Sequence, residues 1–156
     1  MIIGFMADKN TNHTDCKAPA PFKESIRRGP FTTHNGPWFH WAKGQHFRQG
    51  VRVVARHCNS RNIAHGGFLS ALADGLAATA VFRELGRGSL TIKLTTEFLQ
   101  PVRAGDWLQG TAHISRATRD IAFVEAMAWV GEGRDMPDDG FAFTSAAIFR
   151  LFEKTD

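Results

Sequence analysis

The chain has 156 residues, enough for one domain with a sizeable hydrophobic core. Its formal net charge is +4 and its basic residues are spread along the sequence, so no Lys/Arg cluster predicts a nucleic-acid partner. Two cysteines cannot supply a disulfide framework, which favours a reduced, cytoplasmic protein. The apolar start of the chain has no basic segment before it, so we predict neither a signal peptide nor a membrane span.

The N-terminal part of the chain predicts a flexible tail followed by one domain. Residues 1–21 are rich in Thr, Asn and Asp and are expected to form the tail. The domain is expected over residues 22–156, with its core at about 45–152. Within it, Phe22 to Arg28 predicts a short helix and Trp38 to Trp41 a short strand.

The most informative segment is a long apolar run from His65 to Leu85. It lacks proline, is rich in Ala and Leu and is too long for a strand, so it predicts an α-helix that ends before Gly86. Apolar residues lie on all sides of this helix, so we expect it to be buried. In its middle lies a single carboxylate, Asp74. Asp74 is either a hydrogen-bonded core acid or a general base or nucleophile, and the residue alone does not decide.

Five longer strands are predicted around this helix. The alternation of apolar and polar residues and the turn residues between segments define them. In the strand after the helix, Leu90, Ile92 and Leu94 are predicted to share one face. Short connections predict antiparallel neighbours, and the economical packing is an α+β fold in which an antiparallel sheet wraps around one long central helix. The predicted strands are residues 45–57, 89–99, 106–116, 121–130 and 141–152.

The spacing between His65 and Asp74 bears on where a site can form. They are nine positions apart. At about 100° and 1.5 Å per residue, they lie on opposite faces of a helix and roughly 13 Å apart along its axis. One chain cannot easily bring the helix N-terminus and Asp74 to one substrate, whereas two antiparallel copies could. If both groups do chemistry, the site lies at a two-fold dimer interface.

These residues together resemble the PaaI-type acyl-CoA thioesterases of the hotdog-fold superfamily. The resemblance rests on Asn59, on His65-Gly66-Gly67 and Asp74, and on the following strand SLTIKLTTEFLQP and the hairpin around RATRDIAFVEA. It implies the hotdog fold and hydrolysis of an acyl-CoA thioester to the free acid and coenzyme A. It also implies a homodimer with shared active sites, with a dimer of dimers as an open alternative. No metal or cofactor is implied beyond the coenzyme A of the substrate.

The resemblance implies a role for each site residue. Gly66 would donate its backbone N–H to the thioester carbonyl at the positive end of the helix dipole. Asn59 would orient the carbonyl or a water, and Asp74 of the partner chain would activate water or attack the carbonyl itself. Thr91 would position the acid, with an ordinary strand-face threonine as its alternative. The place of His65 in the turn allows either a hydrogen bond that fixes the backbone or proton transfer.

Some features leave alternatives open. Many family members have Gly three positions before the His, where this chain has Asn62, which tolerates a left-handed backbone or could cap the helix. The N-terminal extension and the loop at 131–140 exceed the family minimum, so the acyl group stays open. A hotdog protein that binds or senses acyl-CoA without turnover is the alternative function. A hydratase or dehydratase fits the His-Gly-Gly and Asp spacing less well.

Overall fold

The computed structural model describes residues 16–26, 29–133, 136–138 and 140–153. In this part of the chain, one long helix lies on a single antiparallel sheet of seven strands. Between β3 and α2, a short 3-10 helix spans Ala55–His57. Within the same residues, no helix is both long and apolar enough to span a membrane. The elements are β1 (Lys23–Glu24), α1 (Pro30–His34), β2 (Phe39–Lys43), β3 (His46–Arg52), α2 (Gly66–Leu85), β4 (Ser89–Phe98), β5 (Trp107–Ala117), β6 (Ile121–Val130) and β7 (Phe141–Leu151).

The α+β prediction of a long central helix on an antiparallel sheet is confirmed, and α2 matches its predicted bounds to within one residue. Gly86 ends the helix in the left-handed conformation, with φ of 63°, and its N–H donates to the carbonyl of Phe82. The face of α2 on the sheet is buried, with Leu72 and Leu76 at 1% exposure or less. Close packing there leaves no room for a side chain at Gly110 of β5, because an added Cβ would lie 2.7 Å from Leu76.

The expectation that α2 is buried all round is wrong for a single chain. Phe82 is 66% exposed, and Asp74 and Ala78 are only half-buried. The sheet curves over one face of the helix and leaves the other open. Packing within one chain therefore does not explain the apolar residues on the open face of the helix.

The order of the strands corrects part of the predicted meander. Strands β5, β6 and β7 are antiparallel neighbours in sequence order, as predicted. Strand β4, however, pairs with β7 at the far edge of the sheet and not with β5. The connection from β4 to β5 crosses beside the start of α2, where the Ala64 N–H donates to the Val102 carbonyl at 2.7 Å. With this strand order, β4, which carries Thr91, lies next to the open face of α2.

A bulge in β4 breaks its predicted alternation. The register of β4 against β7 shifts between Thr91 and Lys93. Leu90, before the shift, and Ile92, within it, are 59% and 57% exposed, whereas Leu94, after it, packs on the core. The prediction that these three share one face is therefore wrong, because an inserted residue reverses the period-two pattern. Thr91 lies on the half-buried side, toward α2.

The N-terminal region differs most from the sequence prediction. The predicted helix from Phe22 to Arg28 is wrong: Lys23–Glu24 is a strand paired with β2, and the Phe22 ring packs edge-on against Trp107 at 5.0 Å between ring centroids. Residues 1–15 of the predicted tail lie outside the described residues. In its described end, Cys16 is buried and the Lys17 carbonyl accepts hydrogen bonds from Arg52.

The segments on either side of β3 also refine the prediction. The short strand predicted at Trp38–Trp41 is present as β2. The strand predicted over residues 45–57 ends at Arg52, because the chain then turns into the 3-10 helix. The short helix α1 was not predicted.

Candidate functional site

The turn that leads into α2 is held together by Asn59. Its Oδ1 accepts hydrogen bonds from the N–H groups of Arg61 at 2.9 Å and Ile63 at 3.3 Å. Asn62 occupies the left-handed conformation predicted for it, with φ of 58°, and does not cap the helix. Within the described residues the Asn59 Nδ2 has no acceptor, so this amide can still donate to a ligand. Asn59 therefore fixes the turn with its oxygen and presents its nitrogen outward.

His65 is the N-cap of α2. Its Nδ1 accepts a hydrogen bond from the Gly67 N–H at 2.9 Å, and its carbonyl accepts from the Phe68 N–H at the same distance. The side chain thus satisfies one of the N–H groups that a helix leaves free in its first turn. The predicted hydrogen bond from the ring to the backbone is confirmed. The alternative, proton transfer, stays a prediction.

Gly66, the first residue of α2, keeps its N–H free. No described residue accepts a hydrogen bond from it, although Gly67 and Phe68 beside it are both satisfied. Gly66 borders a cleft of about 340 Å³, which is also lined by Phe98 and Pro101. A Cβ on Gly66 would lie 3.3 Å from the Phe98 ring, so glycine leaves room for a group to approach. The cleft offers an unpaired donor at the positive end of a helix dipole.

Asp74 and Thr91 form the second part of the candidate site. The Thr91 hydroxyl donates to the Asp74 carboxylate with an O···O distance of 2.6 Å. The bulge in β4 brings Thr91 to this place, since it turns the side chain toward α2. Asp74 is half-buried on the open face of the helix. The carboxylate is oriented by one hydrogen bond, and its other oxygen accepts none within the described residues.

The five predicted site residues thus fall into two groups. His65 and Gly66 begin α2 with Asn59 in the turn before them, and Asp74 lies with Thr91 two turns further along. Asp74 follows Gly66 by eight positions, about 12 Å along the helix axis. Within one chain the free N–H and the carboxylate do not face one substrate atom.

Sequence reasoning missed the support beneath the helix start. The buried ring of His57 stacks on that of Phe68 in the first turn of α2, with centroids 4.0 Å apart and planes at 8°. The His57 carbonyl accepts from the His65 N–H at 2.8 Å, and its Nδ1 accepts from the Val54 N–H at 3.2 Å. Burial, helped by the charge of Arg56, lowers the pKa of His57 from 6.5 to about 4. No local signal in the sequence predicted this, because β3 ends at Arg52 and His57 is buried from a 3-10 helix in which Ala55 is exposed.

Other chemistries find less support among the described residues. No group of three or more His, Cys, Asp or Glu side chains there could hold a metal ion. Burial raises the pKa of the Cys58 thiol, which disfavours the thiolate that a cysteine nucleophile needs. Glu125 pairs with His113 at 3.6 Å on the exposed side of the sheet. Asp74, half-buried and oriented by the hydrogen bond from Thr91, is therefore the best candidate for a reacting group.

Comparison of the sequence with those of known proteins identifies a family. A Pseudomonas aeruginosa protein that carries the name of an esterase is 35% identical over 119 residues, covering 73% of this chain and 87% of the relative. The sequence profile of the thioesterase superfamily matches residues 61–137, which include α2 and β4. The chain belongs to the thioesterase superfamily.

Solved structures of other thioesterases share the fold of this member. A Streptococcus pneumoniae thioesterase protein, solved with coenzyme A, is 18% identical with a TM-score of 0.63, covering 70% of this chain and 80% of that one. The Escherichia coli PaaI protein, from the phenylacetic acid degradation operon, is 22% identical with a TM-score of 0.61, covering 70% and 74%. These structures confirm the predicted hotdog fold, and the chain is a thioester hydrolase by family.

Proposed function

We propose that this thioesterase hydrolyses an acyl-CoA thioester to the free acid and coenzyme A. The observation that carries the proposal is the pair formed by an unpaired helix N-terminal donor at Gly66 and an oriented carboxylate at Asp74. The coenzyme A bound to the Streptococcus relative supports a coenzyme A thioester as the substrate. Cys16 and Cys58 are both free, which suits a reducing cytoplasm.

The start of α2 stabilises the charge that develops on the substrate. As a nucleophile adds to the thioester carbon, the carbonyl oxygen becomes an oxyanion next to the Gly66 N–H and the helix dipole. Removal of one such donor typically costs about 10²–10³ in kcat. The free Nδ2 of Asn59 donates to the same oxygen or to a water beside it. His65 keeps the turn in place because its ring holds the Gly67 N–H.

Asp74 supplies the negative charge that the reaction needs. As a general base it takes a proton from water, whose oxygen forms the new bond to the carbonyl carbon. As a nucleophile it forms an anhydride that water then opens. Either route breaks the carbon–sulfur bond, and the coenzyme A thiolate leaves and takes up a proton. Thr91 orients the carboxylate in both cases.

A homodimer with shared active sites brings the two groups to one substrate. Antiparallel packing of two copies sets Gly66 of one α2 opposite Asp74 of the other. Two features of the single chain support this assembly: the open face of α2, and the edge strand β4, whose outer Leu90 and Ile92 are exposed. Such an apolar edge is unfavourable in water unless it is covered.

The test is release of free thiol from a panel of acyl-CoAs, aromatic and aliphatic, by the wild-type protein and by Asp74→Asn. We expect turnover that falls at least about 10³-fold in the variant, because an amide is neither base nor nucleophile. Glu84→Gln, on the same helix, is the matched control and should retain activity. Undiminished activity in Asp74→Asn would refute the mechanism. Tight acyl-CoA binding by a folded protein that releases no thiol would favour the binding module instead.

A further inference from the structure

A second cleft lies between the C-terminal half of α2 and strands β2 and β3. Its volume is about 430 Å³, and it is distinct from the cleft beside Gly66. Three aromatic side chains line it, Trp41 and Phe47 from the strands and Phe82 from the helix, and two cationic ones, Arg48 and Arg83, stand beside them. Nothing in the proposed chemistry uses these residues. A cleft with such walls suits an apolar group of limited length.

The floor of this cleft holds one polar network. The Thr79 hydroxyl donates to the Gly75 carbonyl one turn earlier, at 2.7 Å. Because its only proton is used there, the hydroxyl can only accept from the Gln49 amide, 2.8 Å away. The network therefore fixes the amide with its Nε2 toward Thr79. The Gln49 Oε1 is left over as an acceptor.

This oxygen has no donor within the described part of the chain. Gln49 is only 5% exposed, yet it lines the cleft. An occupant that displaces water from this oxygen leaves the acceptor unpaired unless it brings a donor of its own, so a group with a donor would be bound in preference to one without.

The Gln49 Oε1 lies near the part of α2 that carries Asp74. It is 3.9 Å from the position that a Cβ would take on Gly75, the residue next to Asp74. Thr79 follows Asp74 by five positions, which is about 8 Å along the helix. Gly75 and Ala78 are small and half-buried, so no bulky side chain of the helix stands at these two positions between Asp74 and the cleft. An acyl group whose carbonyl is held at Asp74 can reach along it.

We propose that this cleft receives the far end of the acyl group and that Gln49 is a specificity-determining residue. Its Oε1 accepts a hydrogen bond from a hydroxyl or amino group at the end of an otherwise apolar acyl chain. Thr79 is a positioning residue, since it acts through the Gln49 amide. This inference rests on the proposed thioesterase function and adds to it the class of acyl group that is preferred.

Matched pairs of substrates test the assignment. The pairs are hexanoyl-CoA with 6-hydroxyhexanoyl-CoA, and 3-phenylpropanoyl-CoA with its 4-hydroxyphenyl analogue. In the wild-type protein, kcat/KM should be about tenfold higher for the hydroxylated member of at least one pair. Gln49→Leu should bring that ratio to about one, and Thr79→Val should lower it, because the amide is then free to turn. Thr144→Val, which removes a hydroxyl on β7 that contacts no wall of this cleft, should keep the wild-type ratio.

The ratio is measured within each variant, so a general loss of activity does not affect it. If Gln49→Leu does not fold, Thr79→Val decides. A wild-type ratio near one for both pairs, or a ratio unchanged in both variants, would overturn the assignment. If the wild-type protein releases no thiol from either pair or from any acyl-CoA of the panel above, the proposed function has failed. Calorimetric binding of the same pairs to the wild-type protein and Gln49→Leu then tests the subsite by itself.

Discussion

The two parts of the candidate site are built in different ways. At the start of α2, Asn59, His57 and His65 hold the backbone through hydrogen bonds and a stacked ring, and all of them belong to one chain. Around Asp74 there is one hydrogen bond, from Thr91, on a face that the chain leaves open. The donor part is therefore complete in a single copy, whereas in the proposed dimer the acid part is completed by a second copy. Substitutions in the donor part should change activity through the backbone geometry at the start of α2. Substitutions in the acid part should change it through the orientation of the Asp74 carboxylate.

After Asp74→Asn, the largest effect is expected from removal of the free donor. Gly66→Pro deletes the N–H and, like alanine, adds a Cβ against Phe98. The helix itself should form, since proline is favoured at the first helical position, and His65, with φ of −64° and ψ of 137°, already has the backbone that precedes proline. We expect kcat to fall about 10²–10³-fold. Gly66→Ala keeps the N–H and also adds bulk against Phe98, so it should lose much less. Equal losses in the two variants would show that space matters there and the donor does not.

The buried His57, which stacks on Phe68 beneath the start of α2, predicts that the stability of the fold depends on pH. The pKa of His57 is about 4 in the folded chain, against 6.5 as its ordinary value. Between these values the unfolded chain binds more protons, so the free energy of unfolding should rise with pH. The stability is complete above about pH 6.5 and should fall by up to about 3 kcal/mol as the pH drops to 4. Urea unfolding at several pH values measures it.

The control is His57→Phe, which keeps a ring to stack on Phe68 but does not titrate. Its unfolding free energy should vary less with pH over this interval than that of the wild-type protein. Parallel curves for the two proteins would mean that His57 does not carry the dependence.

On the acid side, the hydroxyl of Thr91 can be removed alone. Thr91→Val keeps the shape of the side chain but leaves Asp74 without its orienting hydrogen bond, and we expect about a tenfold loss in kcat. Thr91→Ser should retain most of the activity. Thr95→Val, an exposed position on the same strand, controls for changes in β4 itself. A valine variant as active as wild type would make Thr91 an ordinary strand residue.

The smallest effect is expected from His65. His65→Ala removes the cap of α2 and should cost about 1 kcal/mol of stability, measured by urea unfolding. His65→Asn replaces it by another good cap that cannot transfer a proton near neutral pH. If His65 is structural, the Asn variant should recover both stability and most of the activity. Recovery of stability with activity lost would assign proton transfer to His65.

Much of the donor part could be predicted from the sequence, because its elements are local. The apolar run and Gly86 define α2, and the Asn59 to Gly67 spacing defines the turn before it. The surroundings of Asp74 depend on long-range pairing. Nothing local reveals that β4 crosses to β7 or that a bulge turns Thr91 toward the helix. The strand at Lys23–Glu24 was missed for the same reason, since its backbone partners lie on β2.

The central claim, that one active site uses Gly66 from one chain and Asp74 from another, is tested by mixing two inactive variants. Gly66→Pro and Asp74→Asn are co-expressed with different tags, and the mixed dimer is isolated by both. One of its two sites then combines an intact N–H with an intact carboxylate. We expect thiol release at about half the wild-type rate per dimer, while each parent dimer stays inactive. A mixed dimer as inactive as its parents would contradict the shared site.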